Sequence, residues 1–357
     1  MFIRFFCRIF ICFAIISSAA FSGNIGKKSA IVIDYSAGKK VVFDDNSGAR
    51  RHPASLTKVM TIYLLFDAMR QGKINFETKF KVSKFATTQM PSKLGLKVGE
   101  KITVLDIVKA LIVKSANDVA VVAAEGLCGS VKNFCNLMNM KARQLGMNST
   151  HFENPSGVPN KLQITTARDI ATLGMAMFRD FPQHWHLFSL KSITYNGAKH
   201  GTHCKILHWY KGADGAKTGY ICASGFNLWV TAQKYNKSGN SKRLFVVVMG
   251  GSSGKSRDFY AAQLMDKYLK EYKICSSQQP DGMLKAKKKL LEQVSKAEML
   301  EPVVQEEGEV ALGDLLSSPD SKYFDELYEH DEDVVKIEEE IFIKPVKHKN
   351  KYKRKRR

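Results

Sequence analysis

Ser55 and Lys58 stand three residues apart near the start of an apolar segment, and they have the types and spacing for nucleophilic catalysis. Residues i and i+3 share one face of a helix, so the hydroxyl and the amine can meet. A serine needs an adjacent base, and a lysine serves as that base only when it is neutral. Lowering the pKa of a lysine from about 10.4 to near 7 costs on the order of 4–5 kcal/mol. Such a site therefore requires burial or a second cation, and a helix N-terminus would add N–H donors for an oxyanion.

The spacing alone is weak evidence, because a helix cap with an incidental lysine is the better explanation of a single Ser-x-x-Lys pair. The chain contains Ser-x-x-Lys three times, at Ser36/Lys39, Ser55/Lys58 and Ser252/Lys255. The first pair falls in a predicted hairpin turn and the third in a glycine-rich loop. Only the second begins a predicted buried helix, over Ala54–Gln71, whose residues are apolar almost all round.

Two further short motifs carry polar groups at predicted element boundaries. Ser115-Ala116-Asn117 falls between two predicted helices, where side chains can project into a cleft, although an ordinary interhelix turn has the same composition. Lys217-Thr218-Gly219 begins a predicted strand, and its alternative is a common surface tripeptide. Lys217 has the charge to lower the pKa of Lys58, and the small Gly219 would let a substrate backbone approach.

The three motifs follow one another at separations of 60 and 102 residues, an order typical of penicillin-interacting serine enzymes. The flanking segments PASLTKVMT, LIVKSANDVAVVAAE, LGMNSTHFENPSGV, TTARDIA and DGAKTGY strengthen the match. Over about Ala30–Tyr272 the chain closely resembles the low-molecular-mass penicillin-binding proteins that are D-alanyl-D-alanine carboxypeptidases. The resemblance implies removal of the terminal D-alanine from peptidoglycan pentapeptide stems, and inhibition by β-lactams.

The resemblance also implies a role for each catalytic group. Ser55 would be the acyl-ester nucleophile and Lys58 the general base. Ser115 would relay the proton to the leaving D-alanine, and Asn117 would position the substrate amide. The backbone N–H groups of Ser55 and Tyr220 would form the oxyanion hole.

A second group of residues would bind the substrate. Lys217 and Thr218 would hold its terminal carboxylate, with Gly219 and Tyr220 beside them on the same strand. Arg257 resembles the family's carboxylate-binding arginine, although a surface arginine at a helix start explains it equally well. The family needs no cofactor, and the chain has no CxxC, no HExxH and no Cys/His cluster at zinc spacing, so we expect no metal.

The fold class follows from where the strand and helix patterns fall. Strand patterns come from both ends of the region, and helical patterns lie between them. The predicted strands are Ala30–Asp34, Lys40–Phe43, Ser192–Tyr195, Ala216–Ile221, Phe226–Gln233 and Leu244–Met249, and the further helices are Thr103–Val113, Asn117–Leu127, Ser130–Leu145, Thr165–Arg179 and Ser256–Tyr272. With the resemblance, this predicts an α/β fold of the penicillin-binding-protein and serine β-lactamase type: an antiparallel sheet flanked by helices, with a helical subdomain.

Charge and hydropathy divide the chain into three parts. Residues 1–22 have a basic start and a 13-residue apolar run, which predicts a signal peptide and a periplasmic protein. Residues 23–275 form the predicted enzyme domain, and residues 276–357 form a charged tail that we expect to be disordered. The formal net charge of +21 belongs to the domain, because the acidic block 301–340 cancels the basic end 344–357. We therefore expect an anionic polymer as partner, peripheral contact with anionic membrane, and no nucleic acid.

Several other signals leave alternatives open. Met249–Ser256 approaches a phosphate-binding loop, but the required first glycine is Met249. Five cysteines remain outside the signal, an odd number, and buried free thiols are favoured over a Cys128–Cys135 bridge.

A β-lactamase of the same fold, with Glu153 as the base for the deacylating water, is one rival to the carboxypeptidase function. The others are a DD-endopeptidase and a basic binding protein.

Overall fold

The computed structural model describes residues 28–272, so the predicted signal peptide and charged tail lie outside the described residues. In this range the strands are β1 (Ser29–Asp34), β2 (Lys40–Asp45), β3 (Lys79–Lys81), β4 (Lys101–Thr103), β5 (Ser192–Tyr195), β6 (Ala198–Gly201), β7 (Ala213–Ile221), β8 (Gly225–Tyr235) and β9 (Ser241–Gly251). The helices are α1 (Thr57–Arg70), α2 (Lys84–Thr87), α3 (Val104–Ile112), α4 (Asn117–Cys128), α5 (Val131–Gln144), α6 (Ala167–Asp180), α7 (Ile206–Trp209) and α8 (Gly254–Leu269). Two 3-10 segments, Ala54–Leu56 and Pro182–Ser189, complete the list.

The main sheet is antiparallel, with strand order β2-β1-β9-β8-β7. Its central strands are buried on both faces, which is why they read as continuous apolar runs rather than as alternating patterns. Ile31, Trp229 and Phe245 point to the helical block built from α1 and α3–α6. Alternate residues such as Val32 and Val246 point to the opposite face, which α8 covers. The predicted α/β fold with its helical subdomain is confirmed.

Helix α1 occupies the centre of the molecule. Every residue from Thr57 to Ala68 is buried, as its all-round apolar sequence predicted. The α-helix begins at Thr57 rather than at Ala54, because Ala54–Leu56 forms a 3-10 turn instead. Ser55 therefore lies in a tight turn that enters the helix, one turn before Lys58.

The elements that sequence patterns missed are short. The ribbon β3–β4, the strand β6 and the helices α2 and α7 have only three or four residues per element, too few to show a period, whereas β5 has the bounds predicted for it. Within residues 28–272 no helix is both long and apolar enough to span a bilayer. The same residues hold no group of three or more His, Cys, Asp or Glu side chains placed to bind a metal ion.

The four described cysteines are free thiols. Gly129, at φ 74°, ends α4 just after Cys128, yet this thiol and that of Cys135 stay unpaired. Burial of the thiols was expected, and Cys135 and Cys204 are buried. The expectation is wrong for Cys222, which is exposed beyond the end of β7. Cys275 lies outside the described residues.

Candidate active site

The turn that carries Ser55 is held in a strained conformation by polar contacts. Ala54 adopts a φ of 47°, in the left-handed region that residues with a Cβ rarely visit. The side-chain amide of Asn227, on β8, donates to the carbonyls of His52 and Pro53 at 3.1 and 3.4 Å. The side-chain oxygen of the same amide, Asn227 Oδ1, accepts from the Gly250 N–H at 3.0 Å. Strands β8 and β9 thus fix the segment that leads into Ser55.

Lys58 is fully buried, and its amine faces three oxygen atoms. Its Nζ lies 2.9 Å from Ser55 Oγ, 2.7 Å from Asn117 Oδ1 and 2.6 Å from the carbonyl oxygen of Ser156. A neutral amine has two N–H groups and one lone pair. The amide and carbonyl oxygens accept from the two N–H groups, which leaves the lone pair to accept the proton of the Ser55 hydroxyl. The surroundings thus suit an amine acting as a base on Ser55.

The second pair of amine and hydroxyl comes from opposite sides of the cleft. Ser115 sits between α3 and α4 at a φ of 58°, another strained position that directs its side chain towards the sheet. Lys217, on β7, donates from Nζ to Ser115 Oγ and to the Thr218 carbonyl, each at 2.9 Å. The pKa of Lys217 is lowered to about 8, mainly by burial, and the positive charge of Arg257 acts in the same direction. Lys217 is therefore a cation that gives up its proton more readily than an exposed lysine.

Most of the predicted site residues line one cleft. They are Ser55, Ser115, Asn117, Thr218, Gly219, Tyr220 and Arg257. The remaining two, Lys58 and Lys217, are fully buried beneath it, and each contacts a lining serine. Lys217 thus acts on the cleft through Ser115, whereas Thr218 and Arg257 face it directly.

Arg257 lies inside the protein at the start of α8. It is 3% exposed, so the alternative of a surface arginine is wrong. Its Nε donates to Asp258 Oδ1 at 2.8 Å, and Nη1 donates to the Asn227 carbonyl at 3.3 Å. A buried guanidinium beside a cleft can attract an anionic group there.

The structure requires a glycine at position 219 for a different reason than the sequence suggested. A Cβ at this position would lie 2.9 Å from the Ser55 nitrogen and 3.0 Å from the Pro53 oxygen. The protein's own backbone, in the turn that carries the nucleophile, fills the space above Gly219. The missing side chain lets β7 approach that turn closely, so the two potential oxyanion donors, Ser55 and Tyr220, belong to backbone segments in contact.

Asp118 was missed by sequence reasoning, although it directly follows Asn117. It is fully buried, and its carboxylate accepts from the backbone N–H groups of Leu94, Gly95 and Leu96 at 2.9–3.3 Å. These contacts fix the loop whose earlier residues, 90–92, line the cleft. Asn117 adds to the same loop, because its Nδ2 donates to the carbonyls of residues 90 and 91. Asp118 could have been found from the sequence, because it is a charged residue at the start of a predicted apolar helix.

Asn154 and Gln163 were also missed, and they position the Ser156 carbonyl that Lys58 contacts. Asn154 Oδ1 accepts from the N–H of Gly157 at 2.7 Å, and Gln163 Oε1 accepts from the N–H of Asn154 at 2.8 Å. Gly157 has a φ of 89°, and a Cβ there would lie 1.8 Å from the Ala54 oxygen. These contacts explain the segment NPSG that follows Glu153.

Two sequence alternatives lose support from the geometry. Glu153 pairs with His151 at 2.6 Å and is not among the residues that line the cleft, so it is not placed to activate a deacylating water there. The glycine-rich segment after Met249 ends β9 at Gly251 and continues into α8, which a Ser253–Ser256 capping box begins. It is a strand-to-helix connection, as predicted.

Comparisons with known proteins identify the family to which this chain belongs. The family model for D-alanyl-D-alanine carboxypeptidases, peptidase family S11, matches residues 16–253. The chain belongs to this family. D-alanyl-D-alanine carboxypeptidase DacA of Haemophilus influenzae is 33% identical over 247 residues, which cover 68% of this chain and 61% of that protein. The chain thus spans about three fifths of the length of this curated relative.

Solved structures of family members share the fold. Penicillin binding protein 5 from Haemophilus influenzae superposes with a TM-score of 0.63 at 32% identity, covering 67% of this chain and 69% of that one. Penicillin-Binding Protein D2 from Listeria monocytogenes, in its cefotaxime bound form, gives a TM-score of 0.59 at 26% identity. That alignment covers 67% of this chain and 95% of the Listeria chain.

Proposed function

We propose that the protein is a serine-type D-Ala-D-Ala carboxypeptidase that removes the terminal D-alanine from peptidoglycan pentapeptide stems. The observation that carries the proposal is the convergence of two amine–hydroxyl pairs on one cleft, Ser55 with Lys58 and Ser115 with Lys217, each at 2.9 Å. In the first pair Ser55 is the nucleophile and Lys58 its base. In the second pair Ser115 carries the proton and Lys217 supplies the positive charge. Family membership gives the substrate class.

Acylation begins when Ser55 Oγ attacks the carbonyl carbon of the penultimate D-alanine. The hydroxyl proton moves to the Lys58 amine, and the negative oxygen of the tetrahedral intermediate accepts from the N–H groups of Ser55 and Tyr220. The C–N bond then breaks, and Ser115 relays the proton from Lys58 to the departing amine, which returns Lys58 to its neutral form. The products of this half are free D-alanine and an acyl ester on Ser55.

Deacylation reverses the proton path. A water molecule loses a proton to Lys58 and attacks the ester carbonyl, and Ser55 Oγ leaves and is protonated again. A β-lactam carries a carboxylate and a strained amide in a similar arrangement, so we expect it to acylate Ser55 and remain bound. The cefotaxime complex of the Listeria relative supports this expectation.

Localisation and membrane contact belong to the proposal as well. The basic start and apolar run of residues 1–22 support export to the periplasm, where the polymer is found. The nine Lys and Arg residues within 344–357 support peripheral contact with anionic lipid.

The decisive experiment measures D-alanine release from a D-Ala-D-Ala peptide by the full chain and by Ser55→Ala. We expect release by the wild type and a loss of at least about a thousandfold in the variant. Retained release by Ser55→Ala would refute the assignment. Intact-mass measurement of the penicillin adduct separates the rivals, since an adduct lasting hours fits a carboxypeptidase and rapid turnover fits a β-lactamase. Cleavage of crosslinked dimers without D-alanine release would identify an endopeptidase.

A further inference from the structure

One face of the β3–β4 ribbon presents three lysines to solvent. The exposed side chains of Lys79 and Lys81 alternate with the buried Phe80 along β3, and Lys101 is exposed on β4. In the antiparallel register Lys81 stands directly opposite Lys101, and Lys79 stands opposite Thr103. We call this surface, made of Lys79, Lys81 and Lys101, the lysine face.

The lysine face does not help to hold the ribbon together. Like charges directly opposite each other in an antiparallel pair destabilise it. Among residues 28–272, no carboxylate forms an ion pair with any of the three lysines. Glu100, which directly precedes Lys101, accepts instead from the Tyr195 hydroxyl at 2.6 Å and from the Lys97 N–H. Glu77 is exposed in the turn before β3. An arrangement that costs stability and lacks internal partners fits an external anion.

The ribbon has a defined position relative to the cleft. The Phe80 ring packs against Gly126 on α4 so closely that a Cβ there would lie 2.2 Å from it. Helix α4 begins at Asn117 in the cleft, and nine residues of helix separate the two points. At 1.5 Å per residue the ribbon lies about 14 Å from Asn117 along the helix axis. That separation is beyond a short peptide bound in the cleft, but within the span of a polymer lying across it.

We propose that the lysine face is an exosite that binds the carboxylate-bearing peptidoglycan strand whose stem peptide occupies the cleft. This inference rests on the proposed function. Charges act over about 8 Å at physiological ionic strength, so the three lysines attract only anions that come close to the ribbon. Lys79, Lys81 and Lys101 have no large exposed apolar residue between them, which suits a hydrated polyanion. Phe85, four residues after Lys81, and Val98, three residues before Lys101, are exposed apolar side chains close to the ribbon in sequence.

The test compares the full chain with K79Q/K81Q/K101Q and with a control that removes three other exposed lysines, K40Q/K237Q/K270Q, on the sheet half of the domain. D-Alanine release is measured from a diacyl-Lys-D-Ala-D-Ala tripeptide and from purified peptidoglycan that carries pentapeptides. We expect the first variant to raise KM on the polymer about five- to tenfold, with less than a twofold change on the tripeptide. The control should change neither by more than about twofold. The difference between wild type and variant should vanish in 0.5 M salt.

A binding measurement keeps the outcomes separate. Cosedimentation with purified peptidoglycan, using Ser55→Ala in each background, reports on the exosite even if the proposed activity fails. Equal polymer binding by K79Q/K81Q/K101Q and the control would overturn the proposal. The proposal would also be overturned if K79Q/K81Q/K101Q bound phosphatidylglycerol vesicles more weakly than the control but bound peptidoglycan equally well, because the lysine face would then contact a bilayer. Equal losses on tripeptide and polymer would assign the lysines to the cleft itself.

Discussion

Replacing Gly219 by alanine tests whether the contact between β7 and the Ser55 turn sets the oxyanion geometry. The added Cβ would lie 2.9 Å from the Ser55 nitrogen, 3.0 Å from the Pro53 oxygen and 3.1 Å from the Leu56 nitrogen. Carbon needs about 3.5 Å from such atoms, so the strand and the turn must separate by roughly 0.5 Å. All three neighbours are backbone atoms, and no flexible side chain can move aside.

A shift of this size matters because the two proposed oxyanion donors, Ser55 and Tyr220, belong to the two segments that separate. A misplacement of about 1 Å costs about a hundredfold in rate, and losing one oxyanion donor costs a hundred- to a thousandfold. We expect Gly219→Ala to slow acylation by about ten- to a hundredfold, equivalent to about 1.4–2.7 kcal/mol. The assay is the second-order rate of labelling by a fluorescent penicillin, followed by D-alanine release.

Gly215→Ala is the matched control on the same strand. Its Cβ would lie 2.7 Å from the Trp185 ring, in the core and away from the nucleophile. Both variants overpack their surroundings, and we expect each to lose about 1–3 kcal/mol of folding stability by thermal denaturation. Only Gly219→Ala should acylate slowly. If Gly219→Ala remains folded and labels within twofold of the wild type, the geometric argument is wrong.

Three further predictions concern charge, loop anchoring and backbone fit. Because burial lowers the pKa of Lys217 to about 8, the ammonium is lost as the pH rises through that value. The kcat/KM should then fall, because the cation that donates to Ser115 Oγ is lost, and the fall should be larger for a substrate with a free terminal carboxylate than for one without it. The same shift means that the unfolded chain binds the extra proton between about pH 8 and 10.5, so this group's contribution to stability rises with pH there. Asp118→Ala leaves the N–H groups of Leu94, Gly95 and Leu96 without this acceptor, so we expect a loss of about 1–3 kcal/mol in urea denaturation and a raised KM. Gly157→Ala must displace the Ala54 carbonyl, so it should label poorly with penicillin even where circular dichroism shows a folded chain.

The long elements were predictable because each carries enough residues to show a period. Helix α1 and strands β8 and β9 follow directly from their apolar runs. The ribbon β3–β4 has three residues per strand, and only tertiary packing of Phe80 against α4 specifies it. Elements of that length are fixed by their neighbours rather than by their own pattern.

The site residues were predictable where they form local motifs, and not where they act on the backbone of another segment. Ser55 and Lys58 are three residues apart, so their meeting needs only a helical turn. Asn227 stabilises a turn more than 170 residues away in the chain, and no local pattern around it reports that contact. The reason for Gly219 was also hidden, because the atoms that fill its space belong to residues 53–56.

The pairing of β1 with β9 has a consequence for when the protein becomes active during synthesis. Ser29 is opposite Met249 and Asp34 is opposite Leu244, so the sheet joins segments more than 200 residues apart. Contacts of such long range form slowly, and they must await the arrival of the last strand, β9, wherever the chain folds after its proposed export. Ser55 and Lys58 emerge early, whereas Lys217 and the β8–β9 clamp on the Ser55 turn arrive only near the end. An incomplete chain therefore carries Ser55 without Lys217 and without the contacts from β8 and β9. Reactivity towards β-lactams should appear abruptly once residue 251 is available for folding.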